Sequence, residues 1–79
     1  MSINVVRQTN DSYYTFTLLS DGDKTYGVYE YRDGGIYIYV EFKTTKVKQG
    51  SRAPRTVRRT IAAISPAGTR LLALVGDAK

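Results

Sequence analysis

Cationic side chains are concentrated in one segment of this 79-residue chain. Seven of them lie within seventeen residues that contain no acid: Lys43, Lys46, Lys48, Arg52, Arg55, Arg58 and Arg59. The chain carries +5 overall, so the remaining residues net −2. An unmixed run of like charges repels itself, and this repulsion lowers stability unless a partner offsets it. A polyanion is the simplest such partner, because lysine and arginine displace counterions from phosphates.

Tyrosines accompany these cations. Tyr37 and Tyr39 alternate along the sequence with apolar residues and fall on the same side of a predicted strand as Lys43. Tyr29 and Tyr31 extend this surface across the turn predicted at residues 32–35. Unpaired bases stack on aromatic rings at ~1–3 kcal/mol each. We therefore expect the four tyrosines to stack with the bases of a single strand and the seven cations to hold its phosphates.

The same residues also have purely structural interpretations. Tyrosine is a common β-former whose ring covers a thin core while its hydroxyl stays in water. A basic loop is often a solvated linker, or it guards an edge strand against aggregation. Binding is favoured here because Ile, Val and Phe already supply the buried side of the strand that carries Tyr37 and Tyr39. The lack of acids in the basic segment points the same way.

Catalytic and metal chemistry find little support. The chain has no cysteine and no histidine. This removes disulfides, thiolate nucleophiles, soft-metal sites and the usual general base at neutral pH. Asp11, Asp21, Asp23 and Asp33 lie in predicted turns, where aspartate is favoured for backbone reasons alone. We expect no enzymatic activity, no metal and no cofactor.

The elements that must position these groups are strands separated by turns. Turns are predicted by clusters rich in Gly, Asn, Asp and Ser, at residues 10–12, 21–23, 32–35 and 49–54. Strands are predicted by alternating or β-branched side chains, over residues 3–7, 12–19, 24–31, 36–47 and 55–64. We expect residues 48–54 to form a basic loop within a single domain that spans residues 1–79.

The alternation also predicts which side of each strand is buried. For residues 36–47 the buried side is apolar throughout: Ile36, Ile38, Val40 and Phe42. For residues 12–19 we assign these side chains to the buried side: Tyr14, Phe16 and Leu18. Gly27 indicates a bulge or a close approach. In the last strand, Arg59 falls on the inward side with Val57 and Ile61, which argues for a bulge there.

The C-terminus is typical of a helix. Ser65 suits the N-cap, Pro66 the first helical position and Gly76 the end. Leucine and valine between them recur at helical spacing, although Gly68 weakens the first turn by up to about 1 kcal/mol. The rival interpretation makes residues 69–75 a sixth strand. The expected fold is therefore α+β, an antiparallel meander of four to five strands followed by one short helix, with an all-β fold as the alternative.

This layout resembles the single-stranded DNA-binding transcription coactivators of the positive cofactor four type. The likeness covers residues 24–76, with 35–40 as the central strand and Ile64-Ser65-Pro66 as the junction to the helix. It implies a sheet with basic and aromatic side chains on one face and a helix in a dimer interface. It also implies a homo-oligomer that acts with RNA polymerase or the replication machinery. More loosely, the tyrosine-rich, histidine-free sequence is similar to small bacteriophage-encoded single-stranded DNA-binding proteins.

Two functional classes are open at this point. The first is a sequence-tolerant single-stranded DNA-binding protein, with RNA as another ligand, acting in transcription or replication. The alternative is a small protein-interaction module or inhibitor that docks an acidic surface of a partner, for which the cations provide steering. No apolar run approaches the ~20 residues that span a membrane, and the first residues lack the features of an export signal. We therefore expect a cytoplasmic protein, in the host cytoplasm if it is phage-encoded.

Overall fold

The computed structural model describes residues 2–43 and 55–78. In these residues, five strands precede one helix: β1 (Asn4–Asn10), β2 (Tyr14–Ser20), β3 (Lys24–Tyr31), β4 (Ile36–Lys43), β5 (Thr56–Ile61) and α1 (Pro66–Asp77). The strands form one antiparallel sheet in the order β1-β2-β3-β4-β5. The expected α+β meander with a C-terminal helix is confirmed. The all-β alternative is wrong, because residues 69–75 lie in α1.

Aspartates organise the turns between the strands. Asp21 Oδ1 accepts hydrogen bonds from the backbone N–H groups of Asp23 at 2.9 Å and Lys24 at 2.7 Å. These bonds, that from Lys24 foremost, lower the pKa of the Asp21 carboxyl. Asp33 Oδ1 accepts from Gly35 N–H at 2.9 Å in the same way. Aspartate therefore replaces a backbone acceptor at these positions, as expected from the sequence.

The sheet register is regular except in β1. Between Val5 and Arg7 the register shifts, which leaves Val6 without an opposite residue on β2. The bulge expected near Arg59 is wrong, because Arg59 lies opposite Val40 in a continuous register. Gly27 is also regularly paired, so only its alternative interpretation, a close approach, remains.

Helix α1 covers one face of the sheet. Five apolar side chains there are almost fully buried: Leu19, Val28, Ile38, Leu71 and Val75. The two from the helix are four residues apart and therefore lie on the same side of it. Half-buried apolar side chains surround them, Tyr26, Ile61 and Ala63 among others. The core is thus a single layer between one helix and one sheet face.

Ser65 begins the helix as expected. Its Oγ accepts a hydrogen bond from Gly68 N–H at 3.1 Å and donates one to the Ala62 carbonyl at 2.6 Å. Gly68 is buried, and a Cβ added there would overlap with the Ala62 carbonyl oxygen. The helix continues through Gly76 to Asp77, one residue past the expected end. Glycine is tolerated in a helix at a cost of about 1 kcal/mol.

The facing of β2 is the reverse of the prediction. Thr17 and Leu19 are buried on the helix-covered side, whereas Tyr14, Phe16 and Leu18 alternate onto the opposite face. Thr17 can be buried because its Oγ1 accepts a hydrogen bond from Gln8 Nε2 at 3.0 Å. In β4 the predicted facing is confirmed. The expected extension of that strand to residue 47 and the basic loop at 48–54 lie outside the described residues.

Candidate nucleic-acid interface

Six aromatic rings share the sheet face opposite α1, which we call the aromatic face: Tyr14, Phe16, Tyr29, Tyr31, Tyr37 and Tyr39. The strand register dictates this arrangement, because residues directly opposite each other in a sheet point to the same side. Tyr14 lies opposite Tyr31, Phe16 opposite Tyr29, and Tyr29 opposite Tyr37. Alternation then adds Tyr39. Three neighbouring strands thus place their rings on one surface.

The rings contact one another around Tyr29. Its centroid lies 4.7 Å from that of Phe16 and 5.2 Å from that of Tyr14. The Tyr31 and Tyr37 rings follow at 6.1 and 6.0 Å, and the Tyr29 and Tyr31 planes are nearly parallel at 16°. These separations are in the range in which aromatic pairs attract. The result is a continuous aromatic surface.

The four tyrosines predicted to stack with bases differ in exposure. Tyr31 is 42% exposed, and Tyr29 and Tyr37 are half-buried. Tyr39 is only 6% exposed. Three of the four rings therefore present surface to solvent, and the fourth lies beneath other groups.

Gly27 accounts for the position of the Tyr39 ring. The two residues are opposite each other in the sheet, and a Cβ at Gly27 would overlap with Cε2 and Cζ of Tyr39. The ring can therefore lie down across β3 only because position 27 has no side chain. This burial raises the pKa of the Tyr39 phenol.

Arg58 covers the other side of the Tyr39 ring. Its Cζ lies 4.2 Å from the ring centroid, a distance typical of a cation–π contact. Arg58 Nε donates a hydrogen bond to Glu41 Oε1 at 2.6 Å, and Nη2 forms an ion pair with the same oxygen. Arg58 and Glu41 are opposite each other on β5 and β4. The hydrogen bond to Glu41 raises the pKa of the Arg58 guanidinium.

The other predicted cations are distributed less evenly. Lys43 is exposed at the end of β4, opposite Thr56 and on the side of the aromatic face. Arg55 is exposed just before β5. Arg59 lies on the opposite side of the sheet, with its Cζ 5.9 Å from the Phe42 ring centroid. The remaining predicted cations lie outside the described residues: Lys46, Lys48 and Arg52.

Three residues of this face were not among the sequence-based candidates. The alternation in the sequence predicts that Tyr14 and Phe16 are buried in the core. Arg7 lies outside the basic segment, yet it is exposed and opposite Leu18, which places it on the aromatic face at the β1 edge. The hairpin register could have identified the two rings, because a two-residue loop at Gly22-Asp23 pairs Phe16 with Tyr29. No pattern in the sequence pointed to Arg7.

The chemistry available on this face is stacking and charge attraction. Among the described residues, no group of three or more acidic side chains could hold a metal ion. Within the same ranges, no helix is both long and apolar enough to cross a membrane.

Comparison with protein-family models, curated proteins and solved structures finds no significant match to this chain. The resemblance to positive-cofactor-four-type coactivators therefore stays a prediction.

Proposed function

We propose that this protein binds single-stranded DNA on the aromatic face, with little dependence on base sequence. The observation that carries the proposal is the continuous aromatic surface on the sheet side that α1 leaves uncovered. Cations flank this surface: Arg7 on β1 and Lys43 on β4, with the basic segment continuing from Lys43 along the chain.

Stacking explains why a single strand is the preferred ligand. A duplex keeps the faces of its bases stacked on each other, whereas a single strand can turn them toward the rings of Tyr29, Tyr31 and Tyr37. Every base has a π face, so stacking of this kind tolerates any sequence. Flanking cations would contact the phosphates and make binding dependent on salt. RNA offers the same chemistry and is a second ligand to be tested.

The wider setting belongs to the same proposal. Transcription and replication both expose single-stranded DNA, and RNA polymerase or the replication machinery would be the partner. The protein would act in the cytoplasm, or in a host cytoplasm if phage-encoded, as a homo-oligomer without enzymatic activity. Self-association would suit a domain this small, which buries only about 60% of its unfolded surface.

A salt-dependent titration tests the proposal. Fluorescence anisotropy with labelled oligo-dT and with a duplex of equal length should show tighter binding to oligo-dT. The logarithm of the affinity should fall with the logarithm of the salt concentration by about 0.7 for each phosphate contacted. A flat titration with oligo-dT at low salt would rule the proposal out. Recovery of one acidic protein partner that resists nuclease treatment would then favour the interaction-module alternative.

A further inference from the structure

Arg58 forms the outer layer of a stack on the aromatic face. The Gly27 backbone is the lowest layer, the Tyr39 ring lies on it, and the guanidinium of Arg58 lies 4.2 Å above the ring. Tyr39 is 6% exposed, whereas the Arg58 side chain is 55% exposed. Solvent, and any ligand on this face, therefore meets the guanidinium instead of the phenol ring.

Glu41 fixes the position of that guanidinium and neutralises it. Both Nε and Nη2 of Arg58 contact Glu41 Oε1, so one edge of the planar group is occupied. A cation already paired with a carboxylate has few counterions to release when a phosphate arrives, which makes it a weak phosphate contact. The Arg58 side chain is 55% exposed, so solvent still reaches the group, and guanidinium planes stack well on nucleic-acid bases.

We infer that Arg58 is a base-stacking platform rather than a phosphate contact. An unpaired base of the bound strand lies on the outer face of its guanidinium, and Tyr39 and Glu41 hold that group in place. This inference rests on the proposed function. It changes the role that the sequence suggested for Arg58, which was to hold a phosphate.

The inference also assigns a path to the ligand. The register places Tyr31 on β3 at one end of the aromatic face, Tyr37 on β4 farther along, and Arg58 on β5 beyond Tyr39. Stacking positions therefore follow a diagonal across the sheet from Tyr31 to Arg58. We expect the bound DNA strand to cross the sheet along this line. Its phosphates would lie toward Lys43 at the end of the line near Arg58.

Arg58→Lys in the full chain tests the stacking role. Lysine keeps the charge and can still pair with Glu41, but it has no planar face. We expect the affinity for oligo-dT to fall about five- to tenfold, at the lower end of what loss of a stacking contact produces. Arg70→Lys is the matched control, because it makes the same exchange at an exposed arginine on α1, away from the aromatic face; its affinity should stay within about twofold of the parent.

A charge-neutral double variant tests the phosphate role. Arg58→Gln combined with Glu41→Gln removes the ion pair without changing the net charge. We expect weaker binding to oligo-dT with the salt dependence of the parent. A salt dependence shallower by about 0.7 would instead identify Arg58 as a phosphate contact and overturn the inference. Far-ultraviolet circular dichroism and thermal unfolding of each variant establish that the fold is intact.

The outcomes separate the two proposals. If the parent binds oligo-dT and Arg58→Lys binds equally well, the platform is misassigned while the proposed function stands. If the parent fails to bind any single strand, both fail together.

Discussion

At the scale of single residues, the aromatic face depends on one missing side chain. Gly27 lets the Tyr39 ring lie down across β3, and the lowered ring makes room for Arg58 above it. The rings of Tyr29, Tyr31 and Tyr37 are more exposed than that of Tyr39 and keep ring surface in contact with solvent. Tyrosine therefore has two roles on this face. Tyr39 supports the surface from beneath, and the other three tyrosines form it.

Tyr31 offers a direct test of stacking. It is the most exposed ring of the aromatic face, at 42%, so its truncation should disturb the core little. Tyr31→Ala should weaken oligo-dT binding by ~1–3 kcal/mol through loss of one stacking contact. The salt dependence should not change, because no charge is removed.

Tyr31→Phe is the matched control for that variant. It keeps the ring and removes only the hydroxyl, and should bind oligo-dT like the parent in the same anisotropy titration. Equal binding by Tyr31→Ala would show that this ring does not contact the strand.

At the scale of elements, substitution of two glycines in α1 by alanine should have opposite effects on stability. A Cβ at Gly68 would overlap with the Ala62 carbonyl oxygen, which belongs to the backbone and cannot swing away. Gly68→Ala should therefore destabilise the protein by about 1–3 kcal/mol through overpacking. At Gly76, no described atom beyond its chain neighbours and the helix's own backbone lies within 4 Å of the Cβ position, so Gly76→Ala should stabilise α1 by up to about 1 kcal/mol.

Urea denaturation of the two variants measures both effects. Each is the control for the other, because both exchange glycine for alanine within α1. A Gly68→Ala variant as stable as the parent would contradict the close approach of the helix to Ala62.

The elements also show what sequence reasoning could reach. The facing of β4 is predictable because four apolar residues alternate with polar or aromatic ones, and only one face can be buried. In β2 both faces carry β-forming residues, so the alternation identifies the two sets without saying which is inside. The tertiary contact with α1 decides, and it selects Leu19 and the hydrogen-bonded Thr17 over the bulkier Tyr14 and Phe16.

Arg59 illustrates a different limit. Its place between Val57 and Ile61 indicated a bulge, on the assumption that the whole inward side of β5 is buried. The core covers only part of that side, and Arg59 is exposed where it approaches the Phe42 ring. A long cation on an inward position is acceptable there, since its stem can cover apolar surface while its head stays in water. Whether the Arg59 position is buried depends on how much of the sheet α1 covers, and no local sequence pattern specifies that.

At the scale of the whole molecule, tyrosines on both sides of the sheet link stability to alkaline pH. Burial raises the pKa of Tyr39 on the aromatic face and of Tyr26 on the helix side. Above the usual value of about 10, the unfolded chain loses these protons before the folded one does. Stability should therefore fall as pH rises from about 10 through the higher folded pKa values.

The urea midpoint measured at increasing alkaline pH checks this prediction. Tyr39→Phe and Tyr26→Phe should each make the decline less steep, because phenylalanine has no proton to lose. Tyr13→Phe makes the same exchange at a ring that is 76% exposed and controls for the substitution itself. An equal decline in all three variants would assign the alkaline loss to other groups.

The irregular register of β1 has a consequence for crowded solutions. In the order of the sheet, β1 and β5 are the two outer strands, and outer strands are templates on which further chains can polymerise into fibrils. The shift at Val6 interrupts the row of hydrogen-bonding groups on β1. Arg59 on β5 and Arg55 just before it are exposed and place positive charge at the other border, which opposes pairing with a second copy. Both borders therefore oppose the edge-to-edge pairing with which fibril growth begins.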